Sequence, residues 1–172
     1  NRYTKQTVNI GSAFLQNEWK NEKWSILLGG RLDKHNLINH VIFSPRANLR
    51  FNPSEDINLR LSYSSGFRAP QAFDEDLHIE NVGGTVSMIE RAKNLKEEKS
   101  QSFSASADMY HRFGAFQVNF LVEGFYTRLS DVFVLENIGE RDGILIKERR
   151  NGSGAKVLGL SMEGKMAYLS LL

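Results

Sequence analysis

The chain predicts an all-β fold, an antiparallel meander of about seven strands, and three observations carry that prediction. Apolar and polar residues alternate through most of the sequence, as they must where side chains change face at every residue. No apolar stripe with a helical repeat runs beside that alternation, and no apolar run approaches the roughly 18 residues of a membrane-spanning helix. The connections between alternating segments are short and long by turns, which is the spacing of hairpins joined edge to edge.

Taken in order, residues 8–19 read as a strand whose phase is ambiguous. In 24–33, Trp24, Ile26, Leu28 and Leu32 oppose Ser25, Arg31 and Asp33, with Leu27 out of place. In 43–52, Phe43, Pro45, Ala47, Leu49 and Phe51 oppose Ser44, Arg46, Asn48, Arg50 and Asn52. Residues 57–64 alternate without a fault: Ile57, Leu59, Leu61 and Tyr63 against Asn58, Arg60, Ser62 and Ser64. In 100–113 a serine row faces Phe103, Ala105, Ala107 and Met109. In 116–126, Phe116, Val118, Phe120, Val122 and Tyr126 share a face, and Leu121 and Phe125 intrude on the polar one. In 158–168, Leu158, Leu160, Met162, Met166 and Tyr168 oppose Ser161, Glu163 and Lys165. Residues 90–99 carry enough charge to predict a short helix within a loop.

Residues 20–23, 52–56 and 111–114 are tight and rich in turn formers. Between them lie the longer connections 35–40, 68–97 and 137–143. Strands of about ten residues can cross a bilayer at a tilt, and short turns at one rim with long loops at the other describe an outer-membrane barrel. The mean hydropathy of −0.38 fits such a barrel, because only every second residue meets lipid. It fits a soluble protein equally well.

Composition excludes more than it selects. With 22 Lys and Arg against 20 Asp and Glu, the net charge of +2 argues against a nucleic-acid partner. The absence of cysteine excludes disulfides and thiol zinc sites. Residues 1–10 lack the apolar core of a signal peptide. No Ser–His–Asp set, converging carboxylate pair or glycine-rich phosphate loop is present, so neither an enzyme nor a cofactor is expected. His35 and His40 lack the companions of a metal site, and no metal is expected.

Aromatic residues gather at the tight turns. Trp19 and Trp24 flank the first, Phe51 precedes the second, Phe113 and Phe116 flank the third, and Tyr168 stands where a fourth would begin. This suits an aromatic girdle at a membrane boundary, and equally the stapling of hairpin ends.

The segment Gly66-Phe67-Arg68-Ala69-Pro70 resembles the GFRAP strand end of TonB-dependent outer-membrane receptor barrels. Around it, in the family's order, stand FLQNEW (14–19), LLGGRLD (27–33), FSPRANLRFNP (43–53), NLKEEKSQSFSAS (94–106) and GLSMEGK (159–165). Lys96-Glu97-Glu98 lacks the proline usual after the lysine. The resemblance covers most of the chain and looks closest to siderophore, haem and cobalamin receptors. It implies that residues 1–172 are part of one large transmembrane β-barrel domain of about 22 strands, whose plug domain and remaining strands lie outside this sequence. It implies active uptake of a scarce chelate, such as a ferric siderophore, across a Gram-negative outer membrane. The partners implied are outer-membrane lipid, the receptor's own plug, the TonB complex acting through that plug, and the iron chelate. Two alternatives stay open: a passive pore or adhesin barrel, which would have no plug upstream, and a soluble β-sandwich binding module, which would turn its apolar face inward.

Candidate ligand contacts lie in the long loop, where Phe73, Asp74, Glu75, Asp76 and His78 form an acidic-aromatic cluster suited to a cation or to hydroxyl groups, or simply to water. Arg46, Arg50 and Arg60 share the polar phase and suit carboxylates of the plug or of neighbouring strands. Arg68 is placed to fix the strand exit, and Pro70 to end pairing because it lacks an N–H.

Overall fold

The computed structural model describes residues 7–70, 87–141 and 143–168. Ten strands form: β1 Ile10–Lys20, β2 Trp24–His35, β3 Val41–Ser54, β4 Ile57–Arg68, β5 Ser87–Arg91, β6 Glu98–Phe113, β7 Phe116–Ser130, β8 Phe133–Arg141, β9 Ile144–Asn151 and β10 Ala155–Tyr168. Seven of them make one antiparallel sheet in the order β1-β2-β3-β4-β6-β7-β10. These are the seven strands that alternation predicts. A three-stranded sheet, β5-β9-β8, stands apart from them. The large sheet is unclosed, a partial barrel with β1 and β10 at its two edges.

Local chemistry sets the turns. Asn21 Oδ1 accepts hydrogen bonds from the backbone of Lys23 (3.0 Å) and Trp24 (2.7 Å), closing the β1–β2 turn. The β3–β4 register shifts between Phe51 and Ser54, at Pro53, which cannot donate to the ladder. Gly114 turns the chain between β6 and β7 at a φ of 56°, where a side chain would be strained.

Register settles the phase of β1. Trp19 pairs with Ile26, Asn17 with Leu28 and Ala13 with Leu32, so Trp19, Leu15 and Ala13 lie on the apolar face and Phe14 on the polar one. That apolar face is bare: Leu61 is 54% exposed, Leu160 66% and Met162 63%. Burial falls instead on polar groups, with Asp33 at 2% and His35 at 1%, while the buried apolar residues among those described are few: a cluster of Ile38, Ile42 and Ala69 with Phe67 against it, and Ile146 in β9. A soluble sandwich would show the reverse, so the structure overturns that alternative.

Two expectations are corrected. Residues 90–99 form no helix: Glu90 and Arg91 end β5, paired in parallel with Glu148 and Arg149 of β9, and Glu98 and Lys99 begin β6. Backbone pairing to a distant strand outweighs the local helical preference of a charged run. Nor is 137–143 a simple loop, because 137–141 belong to β8. Gly139, at a φ of 142°, sits at a register shift opposite β9, so the residues that suggested a loop mark a bulge within a hairpin.

Candidate functional site

The polar face of the large sheet carries side-chain hydrogen bonds between adjacent strands. Ser62 and Ser104 hydroxyls meet at 2.6 Å, and Ser102 and Thr127 at 2.9 Å, each pair facing across adjacent strands. Ser12 donates to Asp33 at 2.6 Å, and Arg31 Nε binds the other carboxylate oxygen at 2.8 Å. Lower down, Asn119 donates to Asp108 at 2.5 Å and Asn58 to Asn52 at 2.8 Å.

Arg46, Arg50 and Arg60 stand on this face. Arg46 lies beside Gly29 and Ser64, and Arg50 lies directly opposite Arg60. Like charges paired across strands repel. Arg60 Nε donates to Asn58 Oδ1 at 2.7 Å, whereas Arg50 Nε is buried with no hydrogen-bond partner. The pair therefore presents surplus positive charge and an unused donor, a combination suited to an incoming carboxylate.

Glycines keep both faces close-packed. A Cβ at Gly30 would overlap the Phe43 ring on the apolar face, and one at Gly159 would overlap Phe125 on the polar face. Gly30 belongs to LLGGRLD and Gly159 opens GLSMEGK, so each glycine makes room for a neighbouring aromatic ring.

At the rim of the long connections, two sequence motifs meet. Arg68 pairs in register with Glu98, and their side chains form an ion pair at 3.2 Å. The same Glu98 oxygen accepts the Phe133 backbone N–H at 3.2 Å, and the Arg68 guanidinium lies 4.9 Å from the Phe133 ring centroid. Ala69 and Pro70 are buried, and Arg91 Nη1 donates to the Pro70 carbonyl at 3.2 Å. Asn151 accepts from Lys96 N at 2.8 Å and donates to the carbonyls of Lys96 and Asp131. These bonds tie the end of β4 and the start of β6 to the small sheet. Arg68 thus acts at the strand exit through Glu98.

Glu97, buried beside this clamp, meets Lys99 at 3.0 Å and His40 at 3.1 Å. Burial raises its carboxyl, but its own backbone N–H, Lys99 and His40 together outweigh that and hold it below the ordinary glutamate value. His35 accepts from Leu37 N at Nδ1, 3.1 Å, and leaves a buried Nε2 without a partner. Among the described residues no group of His, Asp and Glu is arranged to hold a metal.

The small sheet carries a row of acids on one face, met there by arginines. Ile89, Arg91, Lys147, Arg149 and Leu135 share one side, and Glu90, Glu148 and Glu136 form a row on the other. Arg150 bridges Glu136 and Glu148, and Arg141 approaches Glu90 at 3.9 Å. Sequence reasoning missed this sheet, because residues 144–149, Ile-Leu-Ile-Lys-Glu-Arg, do not alternate. The predicted cluster of Phe73, Asp74, Glu75, Asp76 and His78 lies outside the described residues.

The family model for the TonB dependent receptor-like β-barrel matches residues 1–170, and the chain belongs to that family. No curated protein relative matches it. Among solved structures it is similar to the siderophore receptor PirA from Pseudomonas aeruginosa, at TM-score 0.73 and 17% identity, covering 90% of this chain and 30% of that one. The hemophore receptor HasR of Serratia marcescens, solved with its hemophore HasA and heme, aligns at TM-score 0.70 and 13% identity, over 93% of this chain and 32% of that one. The FrpB iron transporter from Neisseria meningitidis aligns at 0.67 and 16%, over 95% and 24%. The chain spans about a quarter to a third of the length of these receptors.

Proposed function

We propose that this chain is barrel wall and extracellular rim of a TonB-dependent receptor in the outer membrane of a Gram-negative bacterium, taking up a scarce chelate such as a ferric siderophore. The inverted polarity of the large sheet carries the reading: a bare apolar face suits lipid, and a hydrogen-bonded polar face suits a plugged, wet lumen. Siderophore, heme and iron receptors among its structural relatives support a chelate as cargo.

In this reading residues 1–172 are one part of a larger barrel, and its plug enters against Arg46, Arg50 and Arg60. The repelling Arg50–Arg60 pair, with its unused donor, supports a plug carboxylate at that point. The plug transmits force from the TonB complex, and the loop bearing Phe73 to His78 gathers the chelate from outside. No catalytic step is required of any residue.

The experiment is growth on a single ferric chelate by cells in which this receptor is the sole uptake route. Growth should need both the receptor and TonB. Replacing Asp74, Glu75 and Asp76 with Ala, and separately Phe73→Ala, should weaken chelate binding to cells at equal receptor abundance. Uptake independent of TonB would overturn the reading in favour of a passive pore.

A further inference from the structure

At the upper end of the apolar face the register assembles a row that the transport reading does not use. Ser65, Gln101, Arg128 and Lys156 stand side by side on β4, β6, β7 and β10. They share the apolar phase, since Tyr63, Phe103, Tyr126 and Leu158 form the next row of the same face. Arg128 and Lys156 are exposed, directly opposite one another, and have no ion pair or side-chain hydrogen bond among the described residues. Lys99, nearby on the same face, is already met by Glu97. Two like charges on facing strands, with no acid between them, are unfavourable unless an anion bridges them.

Their height says which anion. Phe116 and Tyr168, whose rings lie 5.1 Å apart, mark the opposite end of the apolar face. From Phe116 to Arg128 the strand rises about 40 Å, which a tilt of about 40° reduces to roughly 30 Å across the membrane, just beyond an apolar band about 25 Å tall. Tyr63 and Phe103, with rings 4.7 Å apart, together with Tyr126 make an aromatic row immediately below the cations. That row forms one side of an open apolar depression of about 800 Å³, continued below it by Leu49, Leu61 and Ala105.

We infer that Arg128 and Lys156, flanked by Gln101, bind the phosphate of an outer-leaflet membrane lipid, with the lipid's chains lying over the aromatic row and the depression it borders. The inference rests on the outer-membrane reading above. Cations at a bilayer surface attract anionic headgroups, and an unpaired cross-strand pair with an apolar surface below it offers both parts of such a lipid a place.

The test uses the receptor made from its complete gene and purified in non-ionic detergent. It is offered equimolar phosphatidic acid and phosphatidylcholine with matched chains, and native mass spectrometry counts the lipid retained. Wild type should prefer the phosphomonoester lipid. That preference should fall about fivefold for each cation removed in Arg128→Gln and Lys156→Gln. Arg128→Lys should keep most of it, and Lys23→Gln, in a turn at the opposite end, should leave it unchanged. Glycerol 3-phosphate at equal concentration should not displace the lipid. No preference in wild type, an undiminished preference in Arg128→Gln and in Lys156→Gln, or displacement by glycerol phosphate would each overturn the site. Membrane fractionation separates the two readings. A receptor absent from the outer membrane contradicts the functional proposal, whereas one that is present without lipid preference contradicts only this site.

Discussion

The large sheet and the small sheet are built from the same backbone ladders, yet they are held by different forces. In the seven-stranded sheet every contact runs between antiparallel neighbours in chain order, with β5 skipped between β4 and β6 and β8 and β9 skipped between β7 and β10. Its side chains sort by polarity into an apolar face and a polar one. In the small sheet β5 pairs in parallel with β9, more than fifty residues away, and a row of acids is met by arginines on the same face. A wall needs its faces matched to two solvents. A rim in water needs only to be anchored, and Arg68, Glu98 and Asn151 do that.

The comparison can be broken most severely on the apolar face. Arginine at Leu61 or Leu49 in the intact receptor should cost about 2–4 kcal/mol, because a cation there faces hydrocarbon. The same change at Asn48, Asn58 or Asn119 should be mild. Folding titrations in lipid vesicles read both, and equal costs on the two faces would contradict the assignment.

A smaller effect should separate wall from rim. Glu98→Gln weakens the Arg68 ion pair and the charged acceptor of Phe133 N–H, and should loosen the rim by about 1–2 kcal/mol. Hydrogen exchange should quicken in β8 and β9 and stay unchanged in β2 and β3. Uniform quickening would show that the clamp also supports the wall.

The smallest effect is a dependence on pH. The folded protein holds the Glu97 carboxyl below its ordinary value of 4.5. Such a group stabilises while ionised, so its contribution is full above that value and is lost as the pH falls through the lowered one. Exchange at the rim should therefore rise in mild acid below 4.5 while the wall keeps its protection. Glu97→Gln should remove the difference, and an unchanged acid response in that variant would assign it to another group.

Much of the wall was legible in advance. Period-two alternation located all seven of its strands, because a strand between lipid and a wet interior must change polarity at every residue. Even Leu121 and Phe125, which broke the pattern, lie where the alternation put them, and Gly159 makes room for Phe125. The phase of β1 was not legible, because its own residues fit either face until β2 fixes the register. The small sheet was missed because a bulge at Gly139 imitates a loop and the parallel partner of β5 is remote. Of the candidate residues, Arg46, Arg50 and Arg60 stand on the polar face as their phase required, but only register sets Arg50 against Arg60.

The sequence by itself therefore determined the class of fold, the position of each wall strand and the faces of the wall's side chains outside β1. These follow from local alternation, which needs no knowledge of what pairs with what. The tertiary structure alone decided the contacts between strands: the clamp of Arg68 on Glu98, the repelling pair Arg50–Arg60, the upper aromatic row, and Arg128 beside Lys156. Such neighbours are fixed by register between segments far apart in the chain, and a one-residue slip would replace every one of them.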